Sequence, residues 1–367
     1  MPRTFLFAGG GSGGHISPAL AICERLVDLD PSAGTLFMCS TRAIDESMLT
    51  EARVRFQPMP AAPLSLGPRG MARFARCFVA CRRAARKEIR RHRVDRVVAM
   101  GGFVAAPVVS AAIASRVPVT LVNLDDPPGK ANRWIARRCD QVLSAIELHD
   151  RPGFAERVVG MPIRRDARAP GTPPACREAL GLDPAVATLL VTGASQGARS
   201  INAMVTAVAV ANPGLFDGWQ VLHLAGNGDD GPVRAAWEAA GVPAVVRPFL
   251  HGMGPAWGAA DLAVSRAGAS SVAEAWANAV PTLFLPYPHH RDGHQQRNAA
   301  PMAATGGAII ETDAIDAAAN VATAGATLRD LVRDEPRRRS MRAALRARPA
   351  PDAAETVARL VLAGGRK

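Results

Sequence analysis

The sequence predicts an α/β protein of two doubly wound, Rossmann-like domains that face each other across a cleft. A strand, a glycine-rich loop and a helix follow one another at 4–20, and the same order returns at 188–198. Apolar, strand-like runs alternate with helical stretches in both halves, as parallel sheets require. A Pro- and Gly-rich run at 169–174 separates the halves of a chain whose 367 residues are too many for one ordinary core.

These patterns set the expected domain limits. We expect a first domain at 1–165, a linker at 166–176, a second domain at 177–345, and a tail at 346–367 that could pack back on the first domain. Predicted strands of the first domain lie at 4–8, 35–39, 96–100 and 117–121. Those of the second lie at 188–192, 220–224, 244–247, 262–265 and 282–285.

The first glycine-rich loop is predicted to bind a phosphate group. Residues 9–14 (Gly-Gly-Gly-Ser-Gly-Gly) precede a helix that we expect to be capped by Ser17, with Pro18 in its first position. Glycines let the backbone approach an anion, and a helix N-terminus offers free N–H groups. His15 lies at the edge of this loop, where an imidazole can act as a general base near neutral pH.

The charge of the chain indicates an anionic partner. The net charge is +12 and most of it comes from arginine, which suits nucleic acid, phospholipid headgroups or a phosphorylated substrate. Aromatic residues are only 5% of the chain, with one Tyr. Because platforms for base stacking are scarce, nucleic acid is not expected as a partner.

Many of the basic residues are concentrated after a Pro/Gly loop at 61–75, which carries Leu64, Leu66, Met71 and Phe74. The predicted basic helix that follows holds Arg82, Arg83, Arg86, Lys87, Arg90, Arg91, Arg93 and Arg96. Such a helix is either a solvated face or a surface that docks on an anionic membrane. Both hypotheses stay open at this point.

No metal, cofactor or targeting segment is expected. The Asp-Leu-Asp at 28–30 lies where the first helix ends, away from the carboxyl ends of the strands, and His289, His290 and His294 show no metal-ligand spacing. The six cysteines form no Cys-x-x-Cys pair, as in a reduced cytoplasmic protein. Only three residues precede the first strand, which leaves no room for a secretory signal, and no apolar run reaches transmembrane length.

Two polar clusters distinguish the second half. Ser271 and Glu274 have the spacing of a capping box, so Glu274 is either a helix cap or a carboxylate that binds the hydroxyls of a ribose. Residues 286–298 carry more side-chain amides than a turn requires, including Gln295 and Gln296.

The motifs together resemble those of the MurG transferases in glycosyltransferase family 28, nearly end to end. The resemblance rests on 9–20, 100–104, 129–133 (Gly-Lys-Ala-Asn-Arg), 193–198, 248–253, 265–274 and 294–299. It implies a GT-B fold and an inverting, metal-independent transfer of N-acetylglucosamine from UDP-GlcNAc to lipid I. It also implies a place at the cytoplasmic face of the membrane, in the synthesis of the cell wall that supports cell shape and division.

The resemblance further implies roles for named residues. His15 would be the general base. The second domain would bind uracil, ribose, diphosphate and sugar through Phe249, Leu250, Met253, Glu274, Ser195, Gln196, Ser270, Ser271, Gln295 and Gln296, with Arg164 reaching them from the segment between the domains. The first domain would bind the acceptor through Gly10, Gly11, Ser12, Gly13, Gly14, Gly101, Gly102, Phe103 and Asp125.

The chain departs from the family pattern on the acceptor side. Residues 122–125 (Val-Asn-Leu-Asp) replace the family's His-Glu-Gln-Asn, Met161 replaces an Asn, and Phe103 replaces a Tyr. Asp125 would contact acceptor hydroxyls or an amine, or form a structural pair with Lys130 or Arg133. A transferase with another polyprenyl-linked or glycolipid acceptor and a non-catalytic binder of nucleotide sugar are the alternative functions.

Overall fold

The computed structural model describes residues 2–11, 13–64, 67–148, 150–193, 197–289, 293–350 and 352–364. It divides into two compact units: unit 1 comprises Met1–Arg164 with Pro351–Lys367, and unit 2 comprises Arg165–Ala350. Each unit is built on a parallel sheet with helices on both faces.

Unit 1 carries a seven-stranded sheet in the order β3-β2-β1-β4-β5-β6-β7. Its strands are β1 (Thr4–Ala8), β2 (Gly34–Ser40), β3 (Phe56–Met59), β4 (Arg96–Ala99), β5 (Val119–Asn123), β6 (Gln141–Ser144) and β7 (Arg157–Val158). Its helices are α1 (Gly13–Leu29), α2 (Ala43–Glu51), α3 (Pro68–Arg91), α4 (Gly102–Ala114), α5 (Lys130–Ala136) and the C-terminal α15 (Ala353–Ala363). The strand order reverses between β1 and β4, so the loops after these strands lie side by side.

Unit 2 carries a six-stranded sheet in the order β10-β9-β8-β11-β12-β13. Its strands are β8 (Ala187–Thr192), β9 (Trp219–Leu224), β10 (Ala244–Arg247), β11 (Leu262–Ser265), β12 (Thr282–Phe284) and β13 (Ala308–Ile310). Its helices are α6 (Pro173–Leu180), α7 (Arg199–Ala211), α8 (Asp230–Ala239), α9 (Gly254–Ala259), α10 (Ala269–Ala277), α11 (His294–Ala304), α12 (Ala317–Ala322), α13 (Ala324–Arg333) and α14 (Glu335–Ala347). Here the order reverses between β8 and β11.

Successive side chains of β1 point to opposite faces of the sheet, so β1 contributes to both hydrophobic cores of unit 1. Leu6 belongs to the cluster under α3 and α4, whereas Phe5 and Phe7 belong to the cluster under α1 and α15. Phe7 stacks on Phe37 of β2 with ring centroids 4.8 Å apart. Both faces of the sheet are covered, which is why its strands are continuous apolar runs.

The C-terminal helix α15 is fastened to unit 1 at both ends. Asp352 caps its N-terminus and lies 3.5 Å from Arg25 of α1. At its other end Arg3 donates to Leu362 O over 2.7 Å, and Arg96 donates to Gly364 O. Cations at the carbonyl end of a helix interact favourably with its dipole.

Two local expectations are wrong. α1 begins at Gly13, so Ser17 is not its cap and Pro18 lies inside the helix rather than at its first position. α3 begins at Pro68, so Met71 and Phe74 are helical and not part of a loop. Arg96, the last arginine of the basic run, begins β4, as the predicted strand at 96–100 has it, and is buried. Among the helices that the structure describes, none combines the length and apolar character needed to cross a membrane.

Candidate functional site

Two glycine turns meet at the carboxyl edge of the unit 1 sheet. Gly10 and Gly11 follow β1 with φ of +143° and +94°, and Gly101 and Gly102 follow β4 with φ of +100° and +77°. A Cβ atom on Gly102 would lie 3.0 Å from Gly10 O, and one on Gly11 would lie 2.9 Å from Cε1 of Phe103. Larger residues would push the two turns apart, so the glycines are required by close approach as well as by φ.

A buried carboxylate supports the first of these turns. Asp45 of α2 accepts hydrogen bonds from Gly11 N over 2.7 Å, from Ser40 N over 3.1 Å and from Ser40 Oγ over 2.6 Å. Arg42 donates to Gly11 O. The turn is therefore held by Asp45 of α2 and by Arg42, which caps that helix.

His15 lies in the first turn of α1, beside both glycine turns. Its Cε1 is 3.9 Å from the Cβ position of Gly102, and its Nε2 is 3.8 Å from Asp125 Oδ2. The side chain of His15 is 17% exposed and that of Asp125 is 56% exposed. His15, rather than Lys130 or Arg133, is thus the residue that the structure places beside Asp125.

Two asparagines position the segment that carries Asp125. Asn123, the last residue of β5, donates to Asp125 O over 2.8 Å and accepts from Asn132 Nδ2 over 2.9 Å. Asn132 is buried against Gly101, where a Cβ atom would lie 2.6 Å from its Oδ1. Asn132 of the 129–133 motif therefore contacts both the second glycine turn and Asn123, and Asn123 in turn holds the loop that carries Asp125.

In unit 2, the N-termini of α7 and α10 follow the neighbouring strands β8 and β11. Ser270 and Ser271 lie in the first turn of α10 and are half-buried. Two helix N-termini at a strand-order reversal favour binding of an anion. Ser12, Ser195 and Gln196, which the sequence analysis assigns to the two anion sites, lie outside the described residues.

A buried ion pair lies at the same edge of unit 2. Arg266 pairs with Asp313 and donates to Ser200 Oγ of α7 over 2.9 Å. Asp313 also accepts from Ser200 Oγ and from Asn320 Nδ2, both over 2.7 Å. Burial raises the pKa of Asp313, but these hydrogen bonds and the Arg266 guanidinium outweigh it and hold that pKa below its usual value. The network fixes the first turn of α7.

Glu274 is not part of a capping box. α10 begins at Ala269, so Glu274 lies in its second turn, and its Oε2 accepts from Trp257 Nε1 of α9 over 2.9 Å. Burial raises the pKa of Glu274 from 4.5 to about 7, and Asp166 adds to this effect while the Trp257 hydrogen bond opposes it. The helix-cap interpretation is therefore wrong, whereas the ribose hypothesis stays a prediction.

Five other donor residues of the sequence analysis belong to unit 2. Gln295, in the first turn of α11, accepts from Tyr287 N over 2.8 Å, and the Arg266 guanidinium lies 5.4 Å from the Tyr287 ring centroid. Gln296 is exposed. Phe249 is exposed and meets His251 edge to face, while Leu250 and Met253 are partly buried against the core.

Family models match both halves of the chain. The glycosyltransferase family 28 N-terminal domain matches residues 5–144, and the glycosyltransferase family 28 C-terminal domain matches residues 188–357. The chain belongs to glycosyltransferase family 28. In this family 28 chain, the first match spans β1 to β6 of the unit 1 sheet and the second spans the unit 2 sheet.

Relatives and solved structures agree with this family. The UDP-N-acetylglucosamine–N-acetylmuramyl-(pentapeptide) pyrophosphoryl-undecaprenol N-acetylglucosamine transferase of Nocardioides sp. is 37% identical, over 97% of each chain. The protein of the same name from Symbiobacterium thermophilum is 34% identical, over 98% of this chain and 95% of its own. The crystal structure of Acinetobacter baumannii MurG has a TM-score of 0.75 at 22% identity, covering 98% of this chain and 99% of that one.

Several residues of this family 28 site escaped the sequence analysis. Asp45, Asn132, Trp257 and Arg266 support the glycine turn, the Asp125 loop, Glu274 and α7, respectively. Asn132 and Arg266 lie within the motifs 129–133 and 265–274. Those motifs mark them as residues of the site but do not indicate which groups they contact. Arg164, expected at the donor, belongs to unit 1, where its Nε lies 3.1 Å from Glu24 Oε1.

Proposed function

We propose that this family 28 chain transfers N-acetylglucosamine from UDP-GlcNAc to the muramyl sugar of lipid I, undecaprenyl-pyrophosphoryl-N-acetylmuramyl-pentapeptide. The product would be lipid II for peptidoglycan synthesis. The observation that carries this proposal is 37% identity, across 97% of both chains, to a transferase of that name. The position of His15 at the carboxyl edge of unit 1 supports it.

On the acceptor side, His15 would act as the general base. Its imidazole would accept the proton of the acceptor hydroxyl as the hydroxyl oxygen bonds to the anomeric carbon of the donor sugar. The bond from that carbon to the UDP oxygen breaks on the opposite face, which inverts the anomeric configuration. The glycine turns at Gly10, Gly11, Gly101 and Gly102 would hold the acceptor diphosphate.

On the donor side, unit 2 would bind UDP-GlcNAc and stabilise the departing diphosphate. The N-termini of α7 and α10 supply N–H groups and the positive ends of their dipoles. Glu274 would accept hydrogen bonds from the ribose hydroxyls, and Gln295 and Gln296 would contact the sugar. We propose that no metal or cofactor takes part; among the described residues, no group of three or more His, Cys, Asp or Glu side chains is placed to hold a metal ion.

The direct test is an assay with purified chain, radiolabelled UDP-GlcNAc and a lipid I analogue, with and without EDTA. Formation of the disaccharide lipid and its persistence in EDTA support the proposal. UDP binding without transfer to lipid I would contradict it. A transferase for another glycolipid would then be distinguished from a non-catalytic binder by UDP release with a panel of polyprenyl-linked acceptors.

We predict that Asp125→Asn lowers kcat by up to about fivefold, because an exposed ion pair contributes up to about 1 kcal/mol. The carboxylate, 3.8 Å from His15 Nε2, would orient the imidazole. The measurement is kcat and both KM values in wild type and in a His15→Gln background. If Asp125 acts through His15, the second substitution costs nothing further in that background. If Asp125→Asn still raises the acceptor KM in the His15→Gln background, Asp125 acts in acceptor binding instead.

We also propose that the chain associates with the cytoplasmic face of the membrane through unit 1. The N-terminal half of α3 and the loop before it expose Leu64 and Met71, each at 55%, and Val79 at 44%. Exposed arginines accompany them on α3, among them Arg69, Arg73 and Arg76. Apolar side chains within a basic helix are typical of docking on anionic lipid. Leu66 lies outside the described residues.

For this surface, we expect Leu64→Ser/Met71→Ser/Val79→Ser to weaken binding to anionic vesicles about tenfold or more, since each side chain loses apolar burial in the interface. Vesicle cosedimentation at low and high salt is the measurement. Val27→Ser/Ile44→Ser, which removes exposed apolar side chains from α1 and α2, is the control and should bind as wild type does. If wild type does not sediment even at low salt, α3 is only a solvated face.

A further inference from the structure

An open cavity of about 530 Å³ lies between the C-terminal ends of α3 and α4. The chain passes from these ends into β4 and β5, so the cavity is at the amino edge of the unit 1 sheet. His15 and the glycine turns are at the opposite, carboxyl edge. The cavity is therefore not part of the proposed catalytic site.

The polar lining of this cavity is basic. Arg90, Arg93 and Arg116 line it, together with Ser115, whose Oγ is buried and has no hydrogen-bond partner among the described residues. The rest of the lining is aliphatic and includes Val94. A lining that combines buried aliphatic side chains, three exposed arginines and a hydroxyl without a partner among the described residues matches the surface of an anionic amphiphile.

The nearest acidic residues along the chain contact groups other than these arginines. Glu88 lies 3.1 Å from His92, and Asp95 accepts from Thr4 N over 2.8 Å. No acidic side chain lines the cavity, as far as the described residues go. Among the ion pairs of the described residues, none involves Arg90, Arg93 or Arg116.

The backbone shows that two of the arginines stand in unfavourable conformations. Arg93 and Arg116 have φ of +48° and +55°, and each is the left-handed residue that ends a helix. Val94 N–H donates to Ile89 O over 3.0 Å in the same turn as Arg93, which is the hydrogen bond of a Schellman motif. Glycine is the residue that adopts this conformation without cost.

Unit 2 uses glycine at most of its equivalent helix ends. The left-handed residues after α6, α8, α10 and α11 are Gly181, Gly241, Ala279 and Gly306. In unit 1 all three such residues, after α2, α3 and α4, are arginines: Arg53, Arg93 and Arg116. Two of these three arginines line the cavity. A side chain kept at a position that favours glycine indicates a use for that side chain.

We infer that this cavity binds a phosphate group, on an anionic phospholipid headgroup or on a small soluble phosphate. Arg90, Arg93 and Arg116 would supply charged hydrogen bonds, and Ser115 Oγ would donate a further one. Guanidinium groups suit phosphate because their N–H donors match its oxygens. The inference does not depend on the proposed transferase activity, and it uses residues other than the exposed apolar side chains of α3.

The test replaces the two strained arginines with the residue that their backbone favours. Arg93→Gly/Arg116→Gly removes two charges while keeping the turns, so we expect the midpoint of thermal unfolding to stay within about 2 °C of wild type. Arg53→Gly/Arg137→Gln is the matched control: it alters another left-handed arginine and removes the same charge from exposed positions of unit 1 outside the cavity.

Two arms distinguish the sources of phosphate. In one, cosedimentation measures binding to phosphatidylglycerol vesicles diluted in phosphatidylcholine. In the other, calorimetry measures binding of inorganic phosphate and of glycerol phosphate, with excess UDP present to fill the donor site. We expect the cavity variant to lose about 30-fold relative to wild type in at least one arm, at about fivefold for each of its two arginines, and to bind more weakly than the matched control in that arm. A loss confined to vesicles assigns a lipid headgroup, and a loss with soluble phosphates assigns a free ligand.

Equal binding by the cavity variant and the control in both arms would overturn the inference. Turnover with UDP-GlcNAc is measured in parallel. Because the cavity lies at the edge of the sheet opposite His15, kcat in detergent should be unchanged in both variants, so failure of the proposed function and failure of this inference are separate results.

Discussion

His15→Ala is expected to lower kcat by about 10²- to 10⁴-fold, the usual effect of losing a general base. UDP affinity should stay within about twofold, because His15 belongs to unit 1 and the proposed donor residues to unit 2. Steady-state kinetics with the lipid I analogue and calorimetry with UDP measure the two quantities. His15→Gln should be equally slow, since an amide can hydrogen-bond but cannot accept the proton.

His92→Ala is the control for this experiment. His92 also belongs to unit 1, but it lies at the C-terminal end of α3, paired with Glu88. Its loss should leave kcat unchanged within about twofold. Retention of more than half of wild-type turnover in His15→Ala would remove His15 from the mechanism. If His15→Gln is active while His15→Ala is not, the role of His15 is to form a hydrogen bond and not to accept a proton.

The sequence predicted most of the sheet framework because its strands are buried on both faces. The segments at 244–247 and 262–265 are β10 and β11 with unchanged bounds. β3, β6, β7 and β13 were missed. β3 contains Pro58, β7 is two exposed residues, and β6 and β13 are short segments next to or at the edge of a sheet. The start of α1 was misplaced because Pro18 was taken as its first residue, whereas the glycine loop enters the helix at Gly13.

Within the site, the sequence located motifs but not the contacts that join them. Asp45 reaches Gly11 from 34 positions along the chain, and Trp257 reaches Glu274 from 17. Neither pair follows a local spacing rule, so only the fold brings them together. The pairing of Asp125 with His15 was missed for the same reason, since along the sequence the basic residues close to Asp125 are Lys130 and Arg133.

Glu274→Gln is expected to make unit 2 more stable above pH 7. Burial raises the pKa of Glu274 from 4.5 to about 7, so the native state holds a proton that the unfolded state has released between these values. Stability is therefore complete below pH 4.5 and falls as the pH rises to 7, by about 3 kcal/mol in total. Glutamine stays neutral at all pH values and still accepts from Trp257 Nε1, so the variant should avoid most of this loss.

His223 also makes the stability of unit 2 depend on pH, but in the opposite direction to Glu274. It is buried in unit 2, where its Nδ1 accepts from Trp237 Nε1 over 3.0 Å, and burial lowers its pKa from 6.5 to about 3. Its contribution falls as the pH drops below 6.5, by about 1.4 kcal/mol per pH unit. Between pH 4.5 and 6.5 the two groups nearly cancel in wild type. In Glu274→Gln only the His223 dependence remains, and stability should decrease towards acid.

Urea unfolding followed by tryptophan fluorescence measures this effect, since Trp219, Trp237, Trp257 and Trp276 belong to unit 2 and only Trp134 to unit 1. Glu238→Gln, at an exposed position of α8, is the control and should follow wild type at every pH. A Glu274→Gln variant that is no more stable than wild type at pH 8 would mean that the native carboxylate carries no burial penalty.

UDP binding separates the ribose role of Glu274 from a merely structural one. If the ionised carboxylate accepts hydrogen bonds from the ribose, Glu274→Gln should bind UDP about tenfold or more weakly at pH 8, the scale of a lost charged hydrogen bond. The same variant should discriminate little between UDP and 2′-deoxy-UDP, which wild type should distinguish. If Glu274→Gln is more stable than wild type but binds UDP more weakly, the Glu274 carboxylate contributes to UDP binding while it destabilises the folded state. Unchanged UDP affinity, or equal discrimination in both proteins, would leave Glu274 only as the partner of Trp257.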